Sequence, residues 1–110
     1  MIGLFVSDLP KMTAFYRDVM RMEIDWNGEG PYAEFEHEGI RFSMFERQKL
    51  PTLLGKEPSF PSGLNGTFEL AVNVGDRTNV DDEFERMRSL GAAVVYGPRD
   101  EPWKMRSAMV

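Results

Sequence analysis

Val6-Ser7-Asp8-Leu9-Pro10, near the start of the chain, and Val74-Gly75-Asp76-Arg77, 68 residues further on, decide the fold. Each closes an apolar, β-prone run, residues 2–6 in the first case and 67–74 in the second, with a small residue and an aspartate. An aspartate at such a junction accepts the unpaired N–H groups of a helix's first turn, and Pro10 suits a position whose N–H needs no partner. Beyond the first aspartate, Leu9, Met12, Phe15, Tyr16 and Val19 recur at the spacings of one helical face over residues 9–20. Beyond the second, Val80, Phe84, Met87 and Leu90 do the same, and Gly91 follows where a helix can end on a left-handed residue. Strand superposes on strand and helix on helix, which an internal duplication explains simply.

Working outward, residues 23–26, 32–38 and 40–47 read as three strands of an antiparallel meander. They are parted by Asn27-Gly28-Glu29-Gly30-Pro31 and by the tight turn His37-Glu38-Gly39. Residues 49–65 carry Pro51, Pro58, Pro61, Gly55 and Gly63, which resist regular structure apart from one turn near Thr52-Leu53-Leu54, and such a stretch serves as a linker or a lid. Residues 92–96 are the next expected strand. The expectation is one α+β domain of two βαβββ units, unit one at 1–47, a loop at 48–65 and unit two at 66–110. From Val6 to the end of the fourth strand at Arg47 is 41 residues, and the same count from Val74 runs past Val110, so the second unit is expected to lack its last strand.

Composition narrows the function. A chain of 110 residues, 42% hydrophobic, buries roughly 60 to 70% of its unfolded surface and needs no disulfide or structural zinc. It contains no cysteine, which excludes thiol chemistry and thiolate metal sites and fits a cytoplasmic location. Lys+Arg number 13 against 18 Asp+Glu, a net charge of −5 with no basic cluster, so no nucleic-acid partner is expected. The apolar runs fall far short of the roughly 20 residues of a membrane span, and the N-terminus lacks a signal pattern. No membrane partner is expected either.

Strand side chains alternate between faces. One parity is almost wholly apolar: Leu4 and Val6, Ala33 and Phe35, Ile40, Phe42 and Met44, then Leu70 and Val72, and it should pack under the helices. The other parity mixes aromatics with polar groups: Met1, Gly3 and Phe5; Tyr32, Glu34 and Glu36; Arg41, Ser43 and Phe45; Glu69 and Asn73. That second face either meets water or lines a ligand cleft, since binding sites combine apolar walls with a few placed polar groups. Two duplicated units can bring such faces together around a shared trough.

The segments Val6-Ser7-Asp8-Leu9-Pro10 and Phe15-Tyr16-Arg17-Asp18-Val19-Met20 resemble the opening of the glyoxalase, bleomycin-resistance and extradiol dioxygenase superfamily, also called the vicinal oxygen chelate fold. Phe68-Glu69-Leu70-Ala71-Val72-Asn73-Val74, Leu90-Gly91-Ala92, Gly97-Pro98 and Trp103 resemble its second half. The resemblance covers essentially the whole chain and is specific for the superfamily, not for one reaction. It implies a closing hairpin beyond the position of Val110. It also implies, in metal-dependent members, a divalent ion such as nickel, zinc, manganese or iron, held from the first strand of each unit and from the closing strands. The first-unit position falls on Met1, whose thioether does not suit a hard ion, and its duplicate on Glu69, which does.

Glu69 is therefore read as a metal ligand or general base, against a solvated or Arg41-paired strand glutamate. His37, the one histidine, is read as a turn residue. Trp26, Tyr32, Phe45 and Trp103 suit stacking on a planar ligand or packing in a core or interface. Arg41 suits a ligand anion or a bridge to Glu34 or Glu36, and Ser43 and Asn73 complete the expected substrate-binding set. Two functions follow from the resemblance. One is a metal-dependent enzyme acting on a small molecule with lyase or oxygenase chemistry. The other is a metal-free binding protein of the bleomycin-resistance type that sequesters a small aromatic or cationic compound against the aromatics and the carboxylates Glu34, Glu36 and Glu69. A homodimer is expected in either case, because half-troughs are often completed by a second copy.

Overall fold

The computed structural model describes residues 1–35, 39–60, 62–63 and 69–110. They fall into two compact units, Met1–Gly63 and Leu64–Val110. The mixed α+β content agrees with the sequence expectation.

In the first unit, β1 (Ile2–Val6) leads into α1 (Leu9–Ala14) through the expected cap, with Asp8 Oδ1 accepting from the Lys11 N–H at 2.9 Å. The helix does not stay α-helical to residue 20. Over Phe15–Val19 it widens into a π turn, with the Met20 N–H donating to the Phe15 carbonyl at 3.1 Å, five residues back. The widened turn still delivers Tyr16 and Val19 to the core beside Leu9. Tyr16 meets Phe35 and Phe42 edge-on at centroid distances of 5.4 and 5.2 Å, and those two rings stack at 4.8 Å. Burial raises the Tyr16 phenol above its ordinary pKa.

The expected antiparallel meander is present, shortened at its first strand, and β1 joins it in parallel, which makes the sheet mixed. β3 (Phe42–Glu46) lies in the middle, antiparallel to β2 (Tyr32–Phe35) and parallel to β1. Residues 23–26 contribute only a bridge from Ile24 to Phe35, because Arg21 turns left-handed just before them and Trp26 bonds into the following loop. Ile40, assigned by parity to the core, lies before β3 and is exposed. The rest of the first unit's apolar parity packs as expected, with Leu4, Met44 and Ala33 side by side in register and Met44 at 0% exposure. After β3, a 3-10 turn (Arg47–Lys49) and α2 (Leu50–Leu54) place the helical turn where residues 52–54 suggested one, anchored by buried Leu50.

In the second unit, α3 (Arg77–Ser89) starts on Asp76, which accepts from the Thr78 N–H at 3.0 Å, and ends before Gly91 at φ 90°. Only glycine takes that angle without strain, as its position after the apolar stripe suggested. β4 (Tyr96–Asp100) and β5 (Arg106–Met109) form an antiparallel pair with an irregularity between Tyr96 and Arg99. The strand expected at 92–96 therefore lies further on, where β5 supplies a ladder. The strand expected at 67–74 is absent over 69–74, and Leu70 and Val72 are exposed. In the first unit β1 is held by β3; among the described residues of the second unit no strand plays that part for 69–74. β propensity does not form a strand without a partner backbone.

Candidate functional site

The face of the first-unit sheet opposite α1 holds the best-organised set of functional side chains. Register aligns them in rungs across three strands. Phe5, Phe45 and Tyr32 form one rung, and Gly3, Ser43 and Glu34 form the next. Adjacent strands lie roughly 4.8 Å apart, so each rung spans about 10 Å, the width of a fused two- or three-ring system. Phe5 and Tyr32 at the ends of the first rung are 49% and 41% exposed, whereas Ser43 in the next rung is buried. Gly3 keeps the second rung shallow: a Cβ there would come to 3.6 Å from the Ser43 Oγ.

Glu34 organises the polar flank. Arg41 grips it with two bonds of 2.6 Å, Nε to Oε1 and Nη2 to Oε2, and the Tyr32 hydroxyl donates to Oε2. The bond to Glu34 raises the Arg41 pKa further and keeps the guanidinium charged. The pair is solvent-accessible, so it orients groups more than it stabilises the fold.

The second unit carries a similar grouping on its hairpin. Arg99 Nε donates to Glu101 Oε1 at 2.8 Å, the Ser107 hydroxyl donates to the same oxygen at 2.8 Å, and the Arg99 guanidinium stacks 3.9 Å over the Tyr96 ring. Bonds from Arg99 and then Ser107 lower the Glu101 pKa. A separate network fastens α3 to the hairpin: Arg106 forks onto Asp81 at 2.6 and 2.7 Å and reaches Asp100 at 2.9 Å, which also accepts from Arg77.

Of the residues singled out from sequence, Tyr32, Glu34, Arg41, Ser43 and Phe45 meet on this first-unit face. Trp26 does not join them; it packs against the core and donates Nε1–H to the Glu29 carbonyl at 2.9 Å. Glu36 and His37 lie outside the described residues. In the second unit, Glu69 is exposed and outside any strand, Asn73 accepts from the Gly75 N–H at 2.8 Å in a turn, and Trp103 is exposed between β4 and β5. Sequence reasoning missed Arg47, Phe60 and the Tyr96–Arg99–Glu101–Ser107 grouping, all of which arise from contacts between segments that no spacing rule links.

Among the described residues no three of His, Cys, Asp and Glu converge, and the carboxylate on the first-unit face already serves Arg41 and Tyr32.

A family model for the Glyoxalase/Bleomycin resistance protein/Dioxygenase superfamily matches residues 1–110. The chain belongs to this superfamily. It is 27% identical over 110 residues to the uncharacterized protein YraH of Bacillus subtilis, covering 97% of this chain and 84% of that one. A crystal structure of a glyoxalase/bleomycin resistance protein/dioxygenase from Nocardioides aligns with a TM-score of 0.76 and 25% identity, over 93% of this chain and 67% of that chain. A glyoxalase-related enzyme from Fulvimarina pelagi shares the fold at a TM-score of 0.78 and 20% identity, over 96% of this chain and 73% of that one. Superfamily membership accounts for the α+β architecture. Among the described residues, no helix is long and apolar enough to cross a membrane.

Proposed function

We propose that this superfamily member binds a small planar compound on the outer face of its first-unit sheet, without a metal ion. The observation that carries the reading is the exposed aromatic rung Phe5–Phe45–Tyr32 beside the Tyr32–Glu34–Arg41 hydrogen-bonded set. Broad apolar area flanked by a few fixed polar groups is the make-up of small-molecule sites. In this reading the rung stacks on the ligand ring, and Glu34, oriented by Arg41 and Tyr32, accepts a ligand N–H or O–H. The identity of the donor set supports binding over metal-assisted chemistry, because the position that resemblance assigns to a first-unit ligand is Met1.

The competing reading makes Glu69 a metal ligand or general base of an enzyme. One experiment separates the two: titration calorimetry with the uncharged probe 2-naphthamide, run on the wild type and Phe45→Ala, alongside metal analysis of protein purified without chelator. The expected result is probe binding weakened about tenfold by Phe45→Ala and no effect of added nickel, zinc, manganese or iron(II). Stoichiometric metal lost in Glu69→Ala, or a probe indifferent to Phe45→Ala, overturns the proposal. A homodimer forms part of the same proposal, and sedimentation showing only a 12.6 kDa species at high concentration removes that part.

A further inference from the structure

We infer that the ligand of the aromatic rung carries an oxyanion group such as a carboxylate and that Arg47 is its anchor, an inference that rests on reading this face as a binding surface. Arg47 opens the 3-10 turn two residues after Phe45. Its Nε donates to the Phe5 carbonyl at 2.7 Å, which places the guanidinium at the β1 end of the rung. One flat side of the guanidinium lies over the Phe60 ring, 4.5 Å from its centroid.

These two contacts fix the cation without using it up. The carbonyl takes Nε and the ring takes a face, which leaves the in-plane Nη donors for a planar acceptor. Elsewhere arginines end on carboxylates: Arg41 on Glu34, Arg99 on Glu101 and Arg106 on Asp81. Arg47 bonds no carboxylate among the described residues, although the chain carries 18 Asp+Glu. A half-buried guanidinium with no carboxylate partner among the described residues gains from a ligand carboxylate through short, charge-assisted bonds. The net charge of −5 repels anions at long range, but that field is screened beyond about 8 to 10 Å in physiological salt, so the fixed local cation decides. Arg41 is poorly placed for the same task, since turning to a ligand breaks its fork on Glu34.

The test compares 2-naphthoate with 2-naphthamide, a charged and an uncharged probe of the same shape, by calorimetry at pH 7 on the wild type, Arg47→Gln, Arg47→Lys and Arg41→Gln. The wild type is expected to prefer the carboxylate by about tenfold. Arg47→Gln should erase the preference while naphthamide affinity stays within about twofold, and Arg47→Lys should keep part of it. Urea unfolding of each variant runs alongside: a purely structural clamp would lower stability and leave the preference intact, which overturns the inference. Equal wild-type affinities, or a preference that follows Arg41→Gln instead, also overturn it. Naphthamide binding that remains sensitive to Phe45→Ala in those cases leaves the face reading standing. Failure of both probes to bind sinks the two together.

Discussion

Met44 and Phe45 are neighbours in the chain and opposites in role, and replacing each by alanine separates the core from the site. Met44 is 0% exposed, between Leu4 and Ala33 in register and above the aromatic cluster. Met44→Ala removes buried side-chain atoms that the surrounding strands cannot follow inward, at a cost of about 2 to 5 kcal/mol. Phe45 stands on the other face between Phe5 and Tyr32 and is half-buried. Phe45→Ala loses cross-strand aromatic contact worth about 1 kcal/mol to the fold. It also deprives a stacked ligand of a partner worth about 0.5 to 1.5 kcal/mol, up to tenfold in affinity. Urea unfolding gives the stability of both variants and 2-naphthamide calorimetry gives the affinity. Met44→Ala should show a much lower midpoint at similar slope, with probe affinity retained in the folded fraction; Phe45→Ala should show the reverse. A Phe45→Ala variant that loses more stability than Met44→Ala refutes the assignment of faces. One that keeps full probe affinity refutes the site.

Thr13→Val should stabilise the protein by about 1 kcal/mol, because the Thr13 Oγ1 is buried with no hydrogen-bond partner among the described residues and valine keeps the shape and the β-branch; a lower urea midpoint would count against it. Acid should destabilise the second unit. Arg106 bonds hold Asp81 and Asp100 below their ordinary carboxylate pKa, so their contribution is complete above the unfolded value of roughly 4 and is lost as pH falls through the lower folded values. Unfolding followed at pH 7, 5, 4 and 3 should show the loss below about pH 4, shallower in Arg106→Met; a flat profile refutes the linkage.

How far the fold was legible depends on which interactions decide each element. Asp8, Pro10 and the Leu9-to-Val19 stripe act locally, so the first strand and helix could be read from spacing alone; the π turn could not, since it depends on packing at Phe15 and Tyr16. Strands are decided by partners. Residues 32–35 and 42–46 found each other as expected, but the parallel placement of β1 against β3 leaves no mark in a sequence. Residues 69–74 alternate as well as residues 2–6 do and form no strand, because among the described residues no backbone takes their hydrogen bonds.

The site divides along the same line. Parity alone placed Phe5, Tyr32, Glu34, Ser43 and Phe45 on one face, since alternation follows from backbone geometry once a strand exists. Parity is silent on pairing, and pairing sets the chemistry. Arg41 stood as equal candidate for a ligand anion and for Glu34; in the structure it is committed to Glu34 by two bonds. Arg47 attracted no notice in sequence, because its distinction is what it lacks, a carboxylate among the described residues, together with what fixes it, the Phe5 carbonyl and the Phe60 ring. A cation held in place but electrostatically unspent differs from one already neutralised in the free energy it can offer an incoming anion, and that difference exists only in three dimensions. The two arginines therefore predict opposite outcomes for the same substitution: glutamine at 41 should disturb Glu34 and leave the carboxylate preference, whereas glutamine at 47 should leave Glu34 and abolish it.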